Sequence, residues 1–497
     1  MRIQFSDLTT QSVNVLQDYA RRGAAKLEAS RASDAVVALC LFGGTLLVYA
    51  RTLAPSLTWE HGGADGGDLV SAAASLGVPH PPGYPSYILL ARLFLALPVG
   101  DEAYRLNAMS AVFASAATGL FYYMIVTGDA GRADWIGRVS GRCSPRSRNL
   151  LLVGALLGIG LGNHLTFGLI VPSLVLGLWD GTGQPSLHWR GGGLSLVRVA
   201  IIVLGCMLGL SVYGYLPLAA RFGAASHWGP LDTPTALVTQ VSAELYHGYL
   251  FSVPLDDLLK RLFALPLMAL AEFQPWGAAA IIAGLVQSLR RHTRWSLSML
   301  LLGMGAGGFA VSYNTTDSYR YLMPLWFSLA CFLAVGLRAA LDALVRARRT
   351  FDRFRMREGA AMAAVLLVLI WPEATVWARY PAMDLSTNRE AERLMVPILD
   401  SLPTGALLLS GTDRQTFALW YYTEVRGVRR DVVVVDRDLL GYAPYRQHLT
   451  IRWHGLSVPP DGQADSLIAA NRAQAPIFSL SADGAVVRLS SETSSAN

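Results

Sequence analysis

Long apolar runs, separated by short polar or arginine-rich connections, dominate the first 380 residues of the chain. A helix needs about 20 residues to cross about 30 Å of hydrocarbon, and its backbone polar groups must be satisfied within the span. The third and fourth runs are short and could be tilted or partly re-entrant. The pattern predicts about nine transmembrane helices, at approximately residues 34–53, 105–126, 149–162, 165–179, 197–219, 262–288, 295–312, 321–341 and 360–379.

The placement of arginine predicts the orientation of these spans. With nine spans, the arginine-rich connections 127–148, 180–198, 289–294 and 342–358 all fall on the side of the N-terminus. The positive-inside rule assigns that side to the cytoplasm. Residues 1–33 are polar and carry basic residues just ahead of the first apolar run, so they are predicted to be a cytoplasmic lead-in and not a cleaved signal.

One apolar segment, Tyr87 to Pro98, is too short to cross comfortably. Counting it as a span would invert every later loop and put the arginine clusters outside. We therefore interpret it as a helix lying in the outer interface. The spans then form a membrane domain over 34–379, with a first loop at 54–104 on the extracytoplasmic side.

The tail, residues 380–497, changes character. Ala406 to Ser410 and Asp431 to Asp436 are typical of short buried strands, and Gln415 to Val425 has helical spacing. Residues 474–490 suggest a closing hairpin. The predicted fold is thus an α-helical polytopic membrane protein with a small C-terminal extracytoplasmic α/β domain.

Composition supports the membrane interpretation. Hydrophobic residues make up 53% of the chain and charged residues only 15%, well below the quarter that is usual in soluble domains. The net charge of +6 comes from short basic runs between spans, which are topology signals and not a nucleic-acid surface. The four cysteines form no CxxC pair, and none lies in a segment predicted to be outside, so neither a zinc site nor a disulfide framework is expected.

The candidate chemistry lies in the first loop. It carries the carboxylates Glu60, Asp65 and Asp68, and then the turn His80-Pro81-Pro82-Gly83-Tyr84-Pro85. No basic residue stands between Arg51 and Arg92, so the loop is poorly suited to anionic headgroups. One interpretation is a solvated loop that its glycines make flexible. The other is that a carboxylate of the loop acts as a general base or binds a metal or a sugar, and that the rigid prolines hold it near the bilayer.

These residues carry a family resemblance. The stretch from Leu53 to Asn107 resembles the first loop of GT-C-type membrane glycosyltransferases, a family that includes a eukaryotic transmembrane protein O-mannosyltransferase. The family pattern is Asp, a small residue, Gly and an acidic residue, followed by the His-Pro-Pro-Gly-Tyr-Pro turn. The acidic residue is more often Glu, so Asp68 is a shorter substitute. Weaker similarity covers most of residues 40–445, including Gly162 to Thr166, Asn314 to Pro324 and Ser410 to Asp413.

The resemblance implies a GT-C-like transferase in the cell (inner) membrane. It would move a sugar from a polyprenyl-phosphate sugar donor to a protein, lipid or glycan acceptor outside the cytoplasm. A carboxylate that accepts the acceptor's proton can contribute about 100- to 10,000-fold, and Asp65 is the candidate base. Because no second carboxylate is evident as a nucleophile, direct displacement with inversion is expected.

Other residues are candidates for substrate contacts. Charge developing on the departing phosphate would be stabilised by cationic or hydrogen-bonding groups at the outer surface. Four of the candidates have a structural alternative: Arg320 could cap a span at the headgroups, and His80 could only order the turn. Asn163 and His164 could satisfy backbone groups at a helix break. The candidates are His80, Tyr84, Asn163, His164, Tyr319 and Arg320.

Three assignments stay open. Asp68 could orient Asp65, or the two could bind a divalent cation, although two carboxylates alone are weak support for a metal. Trp228 and Tyr246 could bind sugar or act as interfacial anchors, and without the family the anchor interpretation is favoured. Asp413 and Trp420 in the tail could bind acceptor or be purely structural.

Two rival functions share these features. A transporter or flippase for a lipid-linked sugar would have the same spans and outer polar cluster, but such proteins usually bury ionisable groups near the midplane and show paired repeats. Neither is found in the sequence. A membrane-anchored protein whose tail binds glycan without chemistry is the third possibility.

Overall fold

A computed structural model describes residues 32–127, 147–178, 196–221, 228–350, 370 and 374–489. Residues 1–31 of the predicted lead-in, most of the connections 127–148 and 180–198, and most of the predicted ninth span lie outside the described residues.

The membrane domain and its loops are almost entirely helical. Single turns of 3-10 helix precede or interrupt several helices, including Glu60–Asp65, Leu165–Ile170 and Ser318–Leu322. The α-helices are α1 Ala32–Thr52, α2 Gly66–Ser75, α3 Pro85–Phe94, α4 Glu102–Thr127, α5 Ser147–Leu161, α6 Val171–Leu178, α7 Leu196–Leu210, α8 Tyr215–Arg221, α9 Pro234–Val241, α10 Leu255–Arg291, α11 Thr293–Ser312 and α12 Met323–Thr350.

Within the described residues, six helices are long and apolar enough to cross a membrane. They are Ala32–Thr52, Glu102–Val126, Leu196–Arg221, Leu255–Arg291, Thr293–Ser312 and Ser318–Ala343. The third and fourth predicted spans are the shorter helices Ser147–Leu161 and Leu165–Leu178. The chain is thus a mostly helical membrane protein, while the count of nine remains a prediction.

Glycines bring apolar helices of the membrane domain into close contact. A Cβ at Gly154 in α5 would overlap the Ile202 carbonyl of α7, and a Cβ at Gly205 in α7 would overlap the Leu151 carbonyl of α5. Another pair of helices, α10 and α12, meets in the same way at Gly284. Small residues at such contacts allow backbones to approach and gain van der Waals energy, which replaces the hydrophobic effect inside lipid.

The tail contains the predicted small sheet. Its helices are α13 374–383, α14 Glu390–Ser401, α15 Asp413–Trp420, α16 Ala443–Arg452 and α17 Ala464–Asn471. Its strands are β1 Leu407–Ser410, β2 Val433–Asp436, β3 Ile477–Leu480 and β4 Val486–Arg488.

The strand order is β2-β1-β3-β4. Strand β1 pairs in parallel with β2 and β3, with Leu407 opposite both Val433 and Ile477. Strands β3 and β4 form the expected antiparallel hairpin. The three leucines Leu407, Leu408 and Leu409 are at most 1% exposed, because a central parallel strand is covered on both faces.

The first loop and the tail share one hydrophobic core, and we call the two together the loop–tail module. Val70 of α2 and Ile88 of α3 belong to the same buried cluster as Leu408, Trp420 and Tyr445 of the tail. The tail is therefore packed against the first loop.

Candidate functional site

Asp65 stands at the N-terminus of α2 and is half-buried. Its side chain does not cap the helix, and in the part of the chain that the structure describes no donor forms a hydrogen bond with its carboxylate. The positive end of the helix dipole favours a negative charge at this position. Asp65 is therefore a carboxylate with free acceptor capacity.

Asp68, one turn along α2, has a carboxylate that is buried and hydrogen-bonded, in contrast to that of Asp65. It is 1% exposed. Its Oδ2 accepts the backbone N–H of His80 at 2.8 Å and contacts His80 Nδ1 at 2.7 Å, while its Oδ1 accepts from Trp228 Nε1 at 3.1 Å. Both oxygens are occupied, so Asp68 can position the turn at residue 80 but is enclosed too completely to meet a substrate.

Gly67, between the two carboxylates, is the point of contact with the tail. A Cβ there would overlap the backbone carbonyl of Phe417 in α15. Only glycine permits this approach of α2 to α15. Trp59 adds a second connection, because its Nε1 donates to the Arg414 carbonyl at 3.0 Å and the Arg414 guanidinium lies 5.3 Å from its ring centroid.

The His80–Pro85 turn is held from several sides. Gly83 and Tyr84 have positive φ values of 92° and 41°, and the Gly83 N–H donates to the His80 carbonyl at 2.9 Å. Gln240, which is 1% exposed, donates from Nε2 to the Pro79 carbonyl at 2.9 Å. The turn is thus a rigid platform, as its prolines suggested.

Aromatic rings enclose His80, which is 6% exposed. The rings of Tyr84, Trp228 and Tyr246 lie 4.8, 5.9 and 6.4 Å from it, and Phe417 of the tail stacks on it at 6.3 Å. Burial alone would lower the pKa of His80, but the hydrogen bond with Asp68 and the charges of nearby carboxylates raise it. These contacts favour the turn-ordering alternative for His80.

The anchor interpretation of Trp228 is wrong. This residue is only 3% exposed and donates to Asp68, 160 positions earlier in the chain. An interfacial anchor would expose its ring to headgroups, whereas Trp228 closes the polar network beneath the first loop.

His164 forms a second ring cluster with Tyr84 at 5.6 Å and Tyr321 at 5.7 Å. Its Nδ1 accepts the Thr166 N–H at 3.2 Å, which caps the following 3-10 turn. Burial, together with the positive charge of His80, lowers the pKa of His164 to about 4, so it is neutral at physiological pH. Asn163 is exposed; its backbone N–H donates at the helix end, and its side chain bonds to none of the residues that the structure describes.

Arg320, in the 3-10 turn Ser318–Leu322 before α12, contacts the first loop. Its guanidinium lies so close to Gly62 that a Cβ there would overlap it, and its Nη1 pairs with Asp317 at 3.3 Å. The Nε–H of Arg320 is buried without a described partner. Tyr319 instead points away, with 48% of the residue exposed. The neighbour that joins the ring cluster is Tyr321, which the sequence did not distinguish from Tyr319.

Asp413 brings a carboxyl from the tail to this site. It begins α15, one turn before Phe417, and it has no described hydrogen-bond partner for its side chain. The residue is exposed, although neighbouring protein partly desolvates its carboxyl. Burial and the charges of Asp436 and Asp65 raise the pKa of Asp413 to about 6, against the opposing effect of His80.

The described side chains give no support to a metal at this site. Among them, no group of three or more His, Cys, Asp or Glu residues could hold an ion. The Asp68 oxygens already accept from three N–H groups, which does not fit a role as a ligand of a hard cation.

The structure therefore brings Asp65, Arg320, Tyr84 and His164 around one region of the first loop, with Asp68 and His80 packed beneath it. Asn163 and Tyr319 remain at the surface. Asp413, Phe417 and Tyr321 complete the region. Their contribution depends on contacts between distant parts of the chain, which local periodicity does not reveal.

Comparison with known proteins agrees with the first-loop motif. Residues 65–134 match the model of the protein O-mannosyl-transferase TMEM260 N-terminal domain, and residues 391–474 match TMEM260-associated domain 2. These matches support an O-mannosyltransferase-like family. The two matched segments contain Asp65 and Asp68 of the first loop and most of the tail, two parts of the chain that are in contact at Gly67.

Individual relatives carry the same family name. The chain is 25% identical over 479 residues to mouse (Mus musculus) protein O-mannosyl-transferase TMEM260, which covers 85% of this chain. The chain spans 65% of the length of that relative. A Dictyostelium discoideum protein O-mannosyl-transferase tmem260 is 33% identical over 89 residues, which are 17% of this chain and 10% of that protein. No solved structure matches the chain.

Proposed function

We propose that this chain is a membrane glycosyltransferase that moves a sugar from a polyprenyl-phosphate sugar to an acceptor hydroxyl on the extracytoplasmic side. The observation that carries the proposal is Asp65, a half-buried carboxylate with free acceptor capacity, three residues after Gly62, against which the Arg320 guanidinium lies. The O-mannosyltransferase names of the relatives support the same reaction class.

The proposed reaction is a direct displacement. The acceptor oxygen forms a bond to the anomeric carbon, and its proton passes to Asp65. The bond between that carbon and the phosphate oxygen breaks, and the electron pair leaves with the polyprenyl phosphate. Arg320, whose guanidinium lies at Gly62 and whose Nε–H is free, stabilises the departing charge. Attack opposite the leaving group inverts the anomeric configuration.

Positioning is assigned to the buried residues. Trp228 donates to Asp68, Asp68 holds His80, and His80 packs against the ring of Tyr84 at the edge of the site. In this proposal Asp68 acts through the turn and does not touch substrate. The tail contributes Asp413, whose carboxyl is influenced by the charge of Asp65, and we assign it a role in binding the acceptor.

The direct test uses purified full-length protein and a panel of radiolabelled polyprenyl-phosphate sugars, each with peptide, lipid and glycan acceptors. We expect one donor to lose its label to one acceptor class, with an inverted linkage in the product. A retained linkage would overturn the displacement mechanism. Movement of the intact lipid-linked sugar across vesicles, without release of label, would instead identify a flippase.

A further inference from the structure

A cavity of about 560 Å³ lies between the first loop and the tail. The first loop contributes Asp101 and Tyr104, and the tail contributes Arg389, Glu392, Tyr422 and Arg426. This volume is in the range of small-molecule sites. The cavity is distinct from the candidate transfer site, because neither Asp65 nor Arg320 lines it.

One buried hydroxyl in this cavity has no partner. Tyr422 is 3% exposed, and its OH forms no hydrogen bond among the described residues. Burial raises the pKa of Tyr422, and the nearby Ser56 hydroxyl lowers that pKa by only part of the increase. The two hydroxyl groups do not reach hydrogen-bond geometry. An unsatisfied buried hydroxyl costs stability, so this one marks a position where a ligand's polar group would be favourable.

The charges of the lining are already balanced. Arg389 pairs with Glu392 at 2.7 Å, and Arg426 pairs with Glu102 at 3.1 Å. Asp101 accepts the Tyr104 N–H at 2.8 Å and so caps α4. A strongly charged ligand such as a phosphate ester would have to break these pairs. An uncharged ligand can use their remaining donors and acceptors without doing so.

The lining also has the chemistry that sugars require. Carboxylate oxygens accept from hydroxyl groups, guanidinium N–H groups donate to them, and the tyrosine rings offer flat apolar faces with a polar edge. Only Pro55 and Val99 add purely apolar surface, which is too little for an acyl chain. We propose that this cavity binds an uncharged saccharide unit, with the Tyr422 hydroxyl as one of its hydrogen-bond partners.

The test measures binding to the purified full-length protein by saturation-transfer NMR and calorimetry. The probes are methyl α-D-mannopyranoside, methyl β-D-glucopyranoside and N-acetylglucosamine, with sorbitol and a serine-rich peptide as comparisons. We expect saturable binding of at least one cyclic sugar. Tyr422→Phe should weaken it about fivefold, the loss of one hydrogen bond.

Tyr421→Phe is the matched control. Tyr421 is 0% exposed and its hydroxyl is also without a described partner, but it does not line the cavity. Its substitution should leave sugar binding unchanged. Asp65→Asn should also leave binding unchanged, which separates this inference from the proposed transfer reaction.

Four results would overturn the saccharide assignment. They are no saturable sugar binding, equal binding by wild type and Tyr422→Phe, loss of binding in Asp65→Asn, and binding of the peptide but of no sugar.

Discussion

The loop–tail module and the membrane-spanning helices bury their side chains in different ways. In the module, Leu407 to Leu409 and Trp420 are at most 2% exposed and lie in one core with first-loop residues. In α1 none of the apolar 18-residue window is buried, and in α11 half of it is. The module is thus organised like a water-soluble domain, whereas the helices keep apolar surface for lipid.

The residues that stabilise these two regions are different from those proposed to carry the chemistry. Hydrophobic burial and the Asp68 network hold the module, and glycine contacts hold the helices. Asp65 and Arg320 belong neither to the residues that stabilise the module nor to the glycines at the helix contacts. The Asp65 carboxylate has no described hydrogen bond, and the Arg320 Nε–H has no described partner. Substitutions in the module, at the helix glycines and at Asp65 should therefore have separable effects on stability and on turnover.

The largest expected effect is on turnover. Asp65→Asn should reduce sugar transfer by about 100- to 10,000-fold, because the amide cannot accept the acceptor's proton. Thermal unfolding should be nearly unchanged, as this carboxylate supports no described hydrogen bond. Glu60→Gln, an exposed acid of the same loop, is the control and should keep full activity. Equal activity in both variants would remove Asp65 from the mechanism.

The next effect is on the stability of the module. Asp68→Asn should cost about 3 kcal/mol, since a 1% exposed carboxylate that accepts three hydrogen bonds loses its charge and one acceptor site. Chemical denaturation followed by tryptophan fluorescence would measure it. Asp317→Asn, which removes a 40% exposed partner of Arg320, should cost less than about 1 kcal/mol. Comparable losses would show that the network is not what holds the module.

A matched pair of glycines tests the helices. Gly284→Ala should destabilise the membrane domain by about 1–3 kcal/mol, because its Cβ would overlap the Phe332 carbonyl of the neighbouring helix. At Gly308 nothing lies within 4 Å of an added Cβ, so Gly308→Ala should be neutral or slightly stabilising. The apparent melting temperature in detergent distinguishes them, and similar values would contradict the proposed close contact.

The smallest expected effect depends on pH. The folded pKa of Asp413 is raised to about 6 from 3.8, so the folded protein binds this proton more tightly than the unfolded chain. Asp413 therefore lowers stability fully above pH 6, and this loss fades as the pH falls from about 6 to 3.8, where the carboxyl of the unfolded chain is protonated as well. Asp413→Asn should raise the melting temperature at pH 7.5 and change it little at about pH 3.5, below the unfolded pKa.

The control for this pH effect is Asp465→Asn, in another exposed carboxylate of the tail. It should show no such pH-dependent difference. An Asp413→Asn effect of the same size at both pH values would contradict the assignment.

Local patterns in the sequence were enough to predict the apolar helices and the small sheet. The closing hairpin is also present, because Ala482-Asp483-Gly484 specifies a turn by residue type alone. The family resemblance that the first-loop residues indicated is confirmed by the matches.

The organisation of the site needed the structure. Trp228 bonds to Asp68 across 160 positions, and Phe417 meets Gly67 across most of the chain. Nothing in the spacing around Trp228 distinguishes a buried donor from a membrane anchor. Tyr319 and Tyr321 lie two positions apart, and only the packing of the turn determines which ring faces His164.

The central claim is that the first loop meets its substrate outside the cytoplasm, and side-specific cysteine labelling tests it most directly. In protein whose four native cysteines are replaced, Glu60→Cys reports on the first loop and Arg291→Cys on the end of α10; both positions are exposed. A membrane-impermeant maleimide applied to intact cells should label position 60 and should label position 291 only after permeabilisation. Labelling of position 60 only after permeabilisation would put Asp65 on the cytoplasmic face and contradict the account.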